Sequence, residues 1–278
     1  PGVGTAVEIG TGIAGNYRMS AEGDGNAVMF TCGSTLYTTN ATSVSTVTFP
    51  DSMLVSAVDY LNGYFLAATE LGRFYWSAIG GATFGALDYA TAESQPDILI
   101  GLKVVGDELW LFGRLTVEVW RPTGDLDLPF QRIDGRVTGI GVTVRDTIQK
   151  SNVGGIDVVC WLGTDRRVYM TEQGRPKRIS DAALEEILQE IEVSNAASDA
   201  NPYAVMDSWN GHDCYTLNIP GHGTRSYDLS TGAWHERTSY DHPLFRANVW
   251  TVGPNAQPLV GDDTSNTIWE MSVDQVTD

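Results

Sequence analysis

Apolar and polar residues alternate in short runs along most of the chain, and a tight polar turn closes each run. Alternation with a period of two is typical of a half-buried β-strand. The runs recur about every 40 residues, near the spacing of propeller blades. Each copy has an alternating strand, a turn and a second strand rich in aromatic residues. The six copies begin at residues 27–30, 57–60, 100–105, 157–161, 203–206 and 249–252.

Two of the turns carry a strong hairpin signal. Asn62-Gly63 and Asn210-Gly211 suit a type I′ turn, which needs positive φ at both central positions. Six copies predict an all-β fold, a β-propeller with six blades of short antiparallel sheets, and leave five or seven blades open. We expect a single domain over residues 1–278, with residues 1–10 as one extra strand. Because the first residue is not Met, we expect a fragment or a processed product.

One segment departs from the strand pattern. Between residues 180 and 192, apolar side chains recur at helical spacing, namely Leu184, Ile187, Leu188 and Ile191. Ser180 or Asp181 can cap the start of this helix. The other face is acidic and is predicted to point outward, with Glu185, Glu186 and Glu190. We expect one amphipathic helix that covers a sheet edge, with a docking role as the alternative.

The charge balance narrows the choice of partners. The chain has 17 basic and 35 acidic residues, a formal net charge of −18. Phosphate neutralisation requires clustered Lys and Arg, so this balance excludes tight nucleic-acid binding of that kind. It predicts either simple solubility or a channel surface that lets DNA pass without sticking. No apolar run approaches the roughly 20 residues that a membrane-spanning helix needs.

The cysteines do not suggest a disulfide framework. Cys32, Cys160 and Cys214 are odd in number, widely spaced and placed in or beside apolar strand-like runs. This pattern predicts buried reduced thiols rather than disulfides or zinc ligands.

Several residues could carry chemistry, but none has a distinctive context. Gly10, Gly12 and Gly15 match the dinucleotide fingerprint, yet no helical pattern follows, which favours a loop between strands. The chain also contains carboxylates that could pair in a glycosidase, arginines that could form a sialidase-like centre and histidines that could bind a metal. None of these sets has the spacing that is typical of such a site. These candidates are Asp262-Asp263, Asp125 with Asp127, Glu118, Arg166-Arg167, Arg175, His212, His222, His235 and His242.

Two turns combine residues that stabilise hairpins. In residues 228–234 (DLSTGAW), the Asp can accept turn amides, the Gly can take positive φ and the Trp can pack under the turn. Residues 120–124 (WRPTG) resemble the same turn motif. Similar turns are found in sialidase-type and kelch-type propellers, where they are structural, so they favour the fold and indicate no catalysis.

Specific strings in one order carry a family resemblance over roughly residues 55–269. They are ALDYATAE (86–93) with SQPD (94–97), ELWLFG (108–113), EVW (118–120), GD (124–125), PFQR (129–132), WLGTD (161–165), PKRIS (176–180), TGAWHER (231–237) and LVGD (259–262). The set resembles the packaged-DNA stabilisation family, the tail hub or nozzle proteins of short-tailed bacteriophages.

The resemblance implies a structural virion protein of the phage tail, assembled in the host cytoplasm, without catalytic residues, metal or cofactor. Family members form a ring, commonly a hexamer, below the portal and its adaptor ring. They retain packaged DNA, form the ejection conduit and hold the needle or plug and the tailspikes or fibres. The family has an additional N-terminal part that we expect to be missing from this chain. The alternatives are a sialidase-like carbohydrate-active propeller and a generic propeller binding module.

Overall fold

The computed structural model is built almost entirely of short antiparallel strands. It describes residues 8–11, 13, 19–40, 42–92, 97–194, 200–209, 211–239, 242, 244–253, 257–262, 265 and 267–271. The chain divides into two compact units, Pro1–Val142 and Thr143–Asp278. A single domain over residues 1–278 stays a prediction.

Each unit consists of three sheets, and each sheet is a meander of consecutive antiparallel strands. The first unit has three four-stranded sheets, with strands β1 (Ser20–Gly23), β2 (Val28–Cys32), β3 (Thr35–Thr39), β4 (Val44–Thr46), β5 (Val55–Leu61), β6 (Tyr64–Thr69), β7 (Arg73–Ser77), β8 (Phe84–Thr91), β9 (Leu99–Val105), β10 (Glu108–Gly113), β11 (Val117–Pro122) and β12 (Phe130–Thr138).

The second unit has two four-stranded sheets and one three-stranded sheet. Its strands are β13 (Gln149–Val153), β14 (Ile156–Leu162), β15 (Val168–Glu172), β16 (Arg175–Arg178), β17 (Tyr203–Trp209), β18 (His212–Ile219), β19 (Gly223–Asp228), β20 (Ala233–Arg237), β21 (Ala247–Val252), β22 (Pro258–Asp262) and β23 (Ile268–Glu270). The six sheets are the blades of a six-bladed β-propeller, so the predicted fold class and blade count are confirmed.

The first strand of each blade is its inner strand. In the first unit β5 packs against β1 and β9, and in the second unit β17 packs against β13 and β21. In four of the six copies the predicted hairpin joins this inner strand to the next one. In the copies that begin at residues 27 and 157 it joins the second strand, β2 or β14, to the third. At Asn62 and Gly63, φ is 49° and 90°, as the type I′ prediction requires. Asn210 lies outside the described residues.

The outer strands, and the inner strands β1 and β13, were not predicted. The sequence pattern indicated three strands per copy at most, whereas five of the blades have four. The outer strands are partly exposed on both faces and therefore lack the buried, apolar alternation that a pattern search detects, as in β16 and β20. The extra strand predicted over residues 1–10 falls mostly outside the described residues, and residues 8–10 belong to no strand.

Aromatic side chains fill the core between the second and third blades. The fully buried Phe74 ring lies 5.1 Å from the Trp120 ring, 6.0 Å from Trp76 and 6.1 Å from Phe130, measured between centroids. Edge-on and tilted contacts of this kind are the preferred geometry of aromatic pairs. This packing accounts for the aromatic residues of the third strands, β7 and β11.

The cysteines behave as small core residues. Cys32, Cys160 and Cys214 are all buried and are thiols rather than disulfides, which confirms the prediction. Burial raises the pKa of the Cys160 thiol far above its ordinary value, because a thiolate would lose its hydration there. These three residues are therefore unreactive packing elements.

The predicted helix is present as α1 (Ala182–Glu190). Its apolar face is buried at Leu184 and Leu188, in a core shared with β15 and β18. None of the helices in the described part of the chain combines the length and apolarity needed to span a membrane.

The acidic face of α1 differs from the prediction at one position. Glu185 does not point freely outward; its side chain is only 14% exposed and is held by Arg178. The reason lies in the tertiary structure, because β16 places Arg178 beside the first turn of the helix. Glu186 and Glu190 are exposed, as expected.

Replacing Asp181 with Ala is expected to lower the free energy of unfolding by about 1 kcal/mol. Asp181 is the N-cap of α1, and its carboxylate accepts a 2.8 Å hydrogen bond from the Leu184 amide. Denaturant unfolding measures the loss. Asp181→Ser, which retains a capping oxygen, should stay close to the parent, and equal losses for Ala and Ser would contradict the capping role.

Candidate functional site

A polar cluster of the second unit surrounds Glu185, at the start of α1. Arg178 donates to both carboxylate oxygens from Nε and Nη2, each at 2.6 Å, and Ser180 Oγ donates to Oε1 at 2.6 Å. Arg167 Nε lies 3.5 Å from the second oxygen. A bidentate Arg–carboxylate pair is strong and directional, so it fixes the helix against β15 and β16.

A second carboxylate extends the cluster along β15. Asp165 accepts hydrogen bonds from Tyr169 Oη at 2.6 Å and from Arg167 Nη1 at 3.1 Å. Burial, followed by the hydrogen bond to Asp165 and its charge, raises the pKa of Tyr169 to about 12. A phenol with a raised pKa is a poor nucleophile at neutral pH.

The cluster contains the residue types of a sialidase-like centre, but its geometry does not favour one. Arg167 and Arg178 are already paired with carboxylates of the chain itself. Of the arginines considered from the sequence, Arg166 occupies a turn position with φ of 63°, and Arg175 opposes Glu172 in the β15–β16 hairpin. Three arginines that converge on an open carboxylate-binding pocket are therefore not found among the described residues.

A shallow cleft lies beside the cluster, between α1 and β20. Its volume is about 180 Å³, and it is lined by Asp181, Ala183, Leu184, Ile187, Arg225, Trp234, His235 and Glu236. Trp234 Nε1 donates to the Ile179 carbonyl at 2.6 Å, and Arg225 pairs with Glu236 at 3.1 Å. Small-molecule sites usually enclose roughly 300–1,000 Å³. The cleft falls below this range, and its Trp234, Arg225 and Glu236 side chains already have partners within the chain.

The carboxylates considered from the sequence serve local structure. Asp262 is fully buried and accepts from Arg246 at 3.1 and 2.5 Å, from Ser265 and from Trp269. Glu118 is buried and accepts from Trp120 Nε1 at 3.2 Å. Asp263 lies outside the described residues.

The histidines are dispersed rather than convergent. His212 contacts Asp228, His235 lines the cleft and His242 Nδ1 lies 2.9 Å from the Leu244 carbonyl. His222 is in the turn after β18, where its amide bonds to Ile219. Within the described ranges, no three His, Cys, Asp or Glu side chains are grouped as metal ligands. Of the Gly-rich fingerprint, Gly12 and Gly15 lie outside those ranges, so nucleotide binding there is not tested.

The turn after β19 has the geometry that its sequence predicts. Asp228 accepts hydrogen bonds from the Ser230 amide at 2.8 Å, the Thr231 hydroxyl at 2.9 Å and His212 at 2.8 Å. Gly232 has φ of 71°. Burial opposes ionisation of Asp228, but these hydrogen bonds outweigh it and lower the pKa of the carboxyl to about 2.

Asp228→Asn is expected to lower the free energy of unfolding by about 2 kcal/mol at pH 7. Because the folded pKa is depressed, the carboxylate stabilises the fold above about pH 4, and this contribution is lost as the pH falls through about 2. Urea unfolding between pH 7 and pH 2 measures it. Asp134→Asn, an exposed control on β12, should show little change, and a pH-independent difference for Asp228→Asn would contradict the linkage.

Sequence reasoning missed the members of the Glu185 cluster other than Arg167. The available signal was local, since Arg178, Ser180 and Glu185 flank a predicted helix start, but nothing along the chain indicates that Asp165 and Tyr169 join them. Their meeting depends on how β15, β16 and α1 pack.

Comparisons with solved structures show the fold, and a family model shows the family. Similar solved structures include one of a mitotic checkpoint complex (13% identity, TM-score 0.52, covering 91% of this chain and 75% of that one) and a computationally designed protein, Ika8 (14% identity, TM-score 0.50, 91% and 70%). At these identities the likeness concerns the fold alone. A search of curated proteins found no significant match. The family model described as "Bacteriophage P22 Gp10, beta-propeller" matches residues 2–275, and the chain therefore belongs to this family of phage stabilisation proteins.

Proposed function

We propose that the chain is a structural component of the tail hub or nozzle of a short-tailed phage, where it retains packaged DNA, contributes to the ejection conduit and docks neighbouring tail proteins. The observation that carries this proposal is the family match over residues 2–275 of a six-bladed propeller. Its partners would be further copies in a ring, commonly a hexamer, the portal adaptor ring, the needle or plug and the tailspikes or fibres.

The architecture suits a mechanical role. Each blade is a meander in which neighbouring strands share a hydrogen-bonded ladder, and the cores between adjacent blades of each unit are apolar and buried. Such packing resists compression because interiors this dense deform little. The polar clusters described above also serve structure, since they tie helices and turns to sheets. This distribution supports a building element over a carbohydrate-active enzyme.

The distribution of charge refines the idea of an acidic DNA channel. The inner strands of the described blades carry both signs, with Glu22, Asp59 and Asp207 against Lys103 and Lys150. The outermost strands carry more basic than acidic residues, so the acidic excess of the described residues lies mainly on loops and on α1. If DNA passes along a ring of subunits, those loops are the ones that would repel its phosphates.

The test is a phage in which the gene for this chain carries a nonsense mutation. Particles made without the chain should package DNA and then lose it, measured as nuclease-sensitive DNA and as empty heads in electron micrographs. Particles complemented with the chain should retain DNA and contain the chain by mass spectrometry. Retention of DNA without the chain, or absence of the chain from purified particles, would contradict the proposal.

A further inference from the structure

The loop that joins β11 to β12 exposes two large apolar side chains. Leu126 is 74% exposed and Leu128 is 65% exposed, although most leucines of the described blades are buried. They alternate with two exposed carboxylates, Asp125 and Asp127. An isolated exposed leucine needs no explanation, but a leucine pair framed by charges on one loop is an interaction feature.

The loop is held in one conformation by its own hydrogen bonds. The Thr123 amide donates to the Pro129 carbonyl at 2.9 Å, and the Thr123 hydroxyl donates to the Leu128 carbonyl at 2.6 Å. Asp125 Oδ1 accepts from the amides of Asp127 at 2.8 Å and Leu128 at 3.3 Å. The leucines are therefore displayed by a closed turn, and binding would cost little ordering entropy.

The charges around the loop restrict the partner. Loops that join the first and second or the third and fourth strands lie at the same end of a blade, because the strands form a meander. In the first unit these loops contain Asp24, Asp107, Asp125 and Asp127 but no Lys or Arg. The exposed Arg121 lies at the end of β11, next to the loop, so the acidic character belongs to the loops themselves. These loops would repel nucleic acid and anionic lipid, and they are poorly suited to a second copy of a chain with net charge −18.

We propose that the β11–β12 loop is a docking element, and that its partner is a different protein with an apolar pocket for Leu126 and Leu128, rimmed by Lys or Arg facing Asp125 and Asp127. The leucines would supply the buried contact, and the carboxylates would supply specificity and speed of association. Asp125 has a double role because it also holds the turn, whereas Asp127 contributes only its amide to the turn hydrogen bonds described above.

The inference concerns the loop and does not require that the proposed tail role is correct. A photo-crosslinking amino acid is placed at position 126 in the full chain, with position 87 as the control, because Leu87 is an 87% exposed leucine on β8. Irradiation is carried out in infected cells, and particle and soluble fractions are analysed separately by mass spectrometry. We expect position 126 to label one other protein, within a segment that combines apolar residues with Lys or Arg.

Matched variants test the two parts of the contact. Leu126→Ser with Leu128→Ser, and Asp127→Lys, should each reduce labelling from a crosslinker at position 131, an exposed position of β12 beside the loop, by roughly tenfold, whereas Leu87→Ser and Asp134→Lys should not. Unchanged circular dichroism and melting temperature would show that the variants fold.

Labelling of only a second copy or of DNA, or yields equal to those at position 87, would overturn the inference. Labelling of a basic-rimmed protein in cells, with the chain absent from particles, would support the docking element and contradict the tail role.

Discussion

Replacing Arg237 with Met is expected to lower the free energy of unfolding by about 3–5 kcal/mol, because it leaves a buried carboxylate without its cation. Arg237 Nη1 lies 2.6 Å from Asp207 Oδ2, and the Asp207 side chain is only 3% exposed. Thr216 Oγ1 donates to the other oxygen at 2.6 Å. A single hydroxyl cannot replace the charge of the guanidinium, so the variant retains a desolvated anion.

Chemical denaturation of two further variants tests this interpretation. Lys177→Met removes an ion pair whose partners are 51% and 55% exposed, and it should cost less than about 1 kcal/mol. Arg237→Met combined with Asp207→Leu removes both buried charges and should recover much of the loss. If Arg237→Met and Lys177→Met lowered the free energy of unfolding equally, the burial of Asp207 would not be the cause of the destabilisation.

Replacing Gly141 with Ala is expected to destabilise the first unit by about 3 kcal/mol, at the upper end of the range for overpacking. A Cβ atom at this position would overlap the carbonyl group of Arg114 and lie 2.6 Å from the Leu115 nitrogen. These are backbone atoms in a turn anchored by Asp97, which accepts hydrogen bonds from the amides of Arg114, Leu115 and Thr116. The turn therefore has little freedom to move aside.

Gly139 provides a control two residues away. A Cβ atom there would meet nothing within 4 Å, so Gly139→Ala should change the free energy of unfolding by less than about 0.5 kcal/mol. Thermal and urea unfolding of both variants make the comparison. Similar stabilities for the two alanine variants would show that the 114–116 turn yields, contrary to expectation.

In four of the six blades the first two strands could be predicted because their signal is local. In β5 and β6, alternation, the Asn62-Gly63 turn and buried aromatics follow one another within 15 residues. The outer strands could not be predicted in this way. β20 is mostly exposed, and it is a strand because β19 offers it an edge with matching register, from Thr224 opposite Arg237 to Asp228 opposite Ala233.

The sequence by itself determined the blade hairpins, the position of the helix, the buried thiols and the family, because each depends on neighbouring residues or on strings in a fixed order. The tertiary structure alone decided the partners of the charged groups. Asp207 and Arg237 are 30 residues apart, and Asp97 lies 18 residues before Leu115. Tertiary packing also explains the burial of Glu185. The helical pattern predicts that this side chain points outward, whereas its ion pair with Arg178 holds it against β16. With 35 acidic residues available, only packing selects which of them meet a cation or a row of amides.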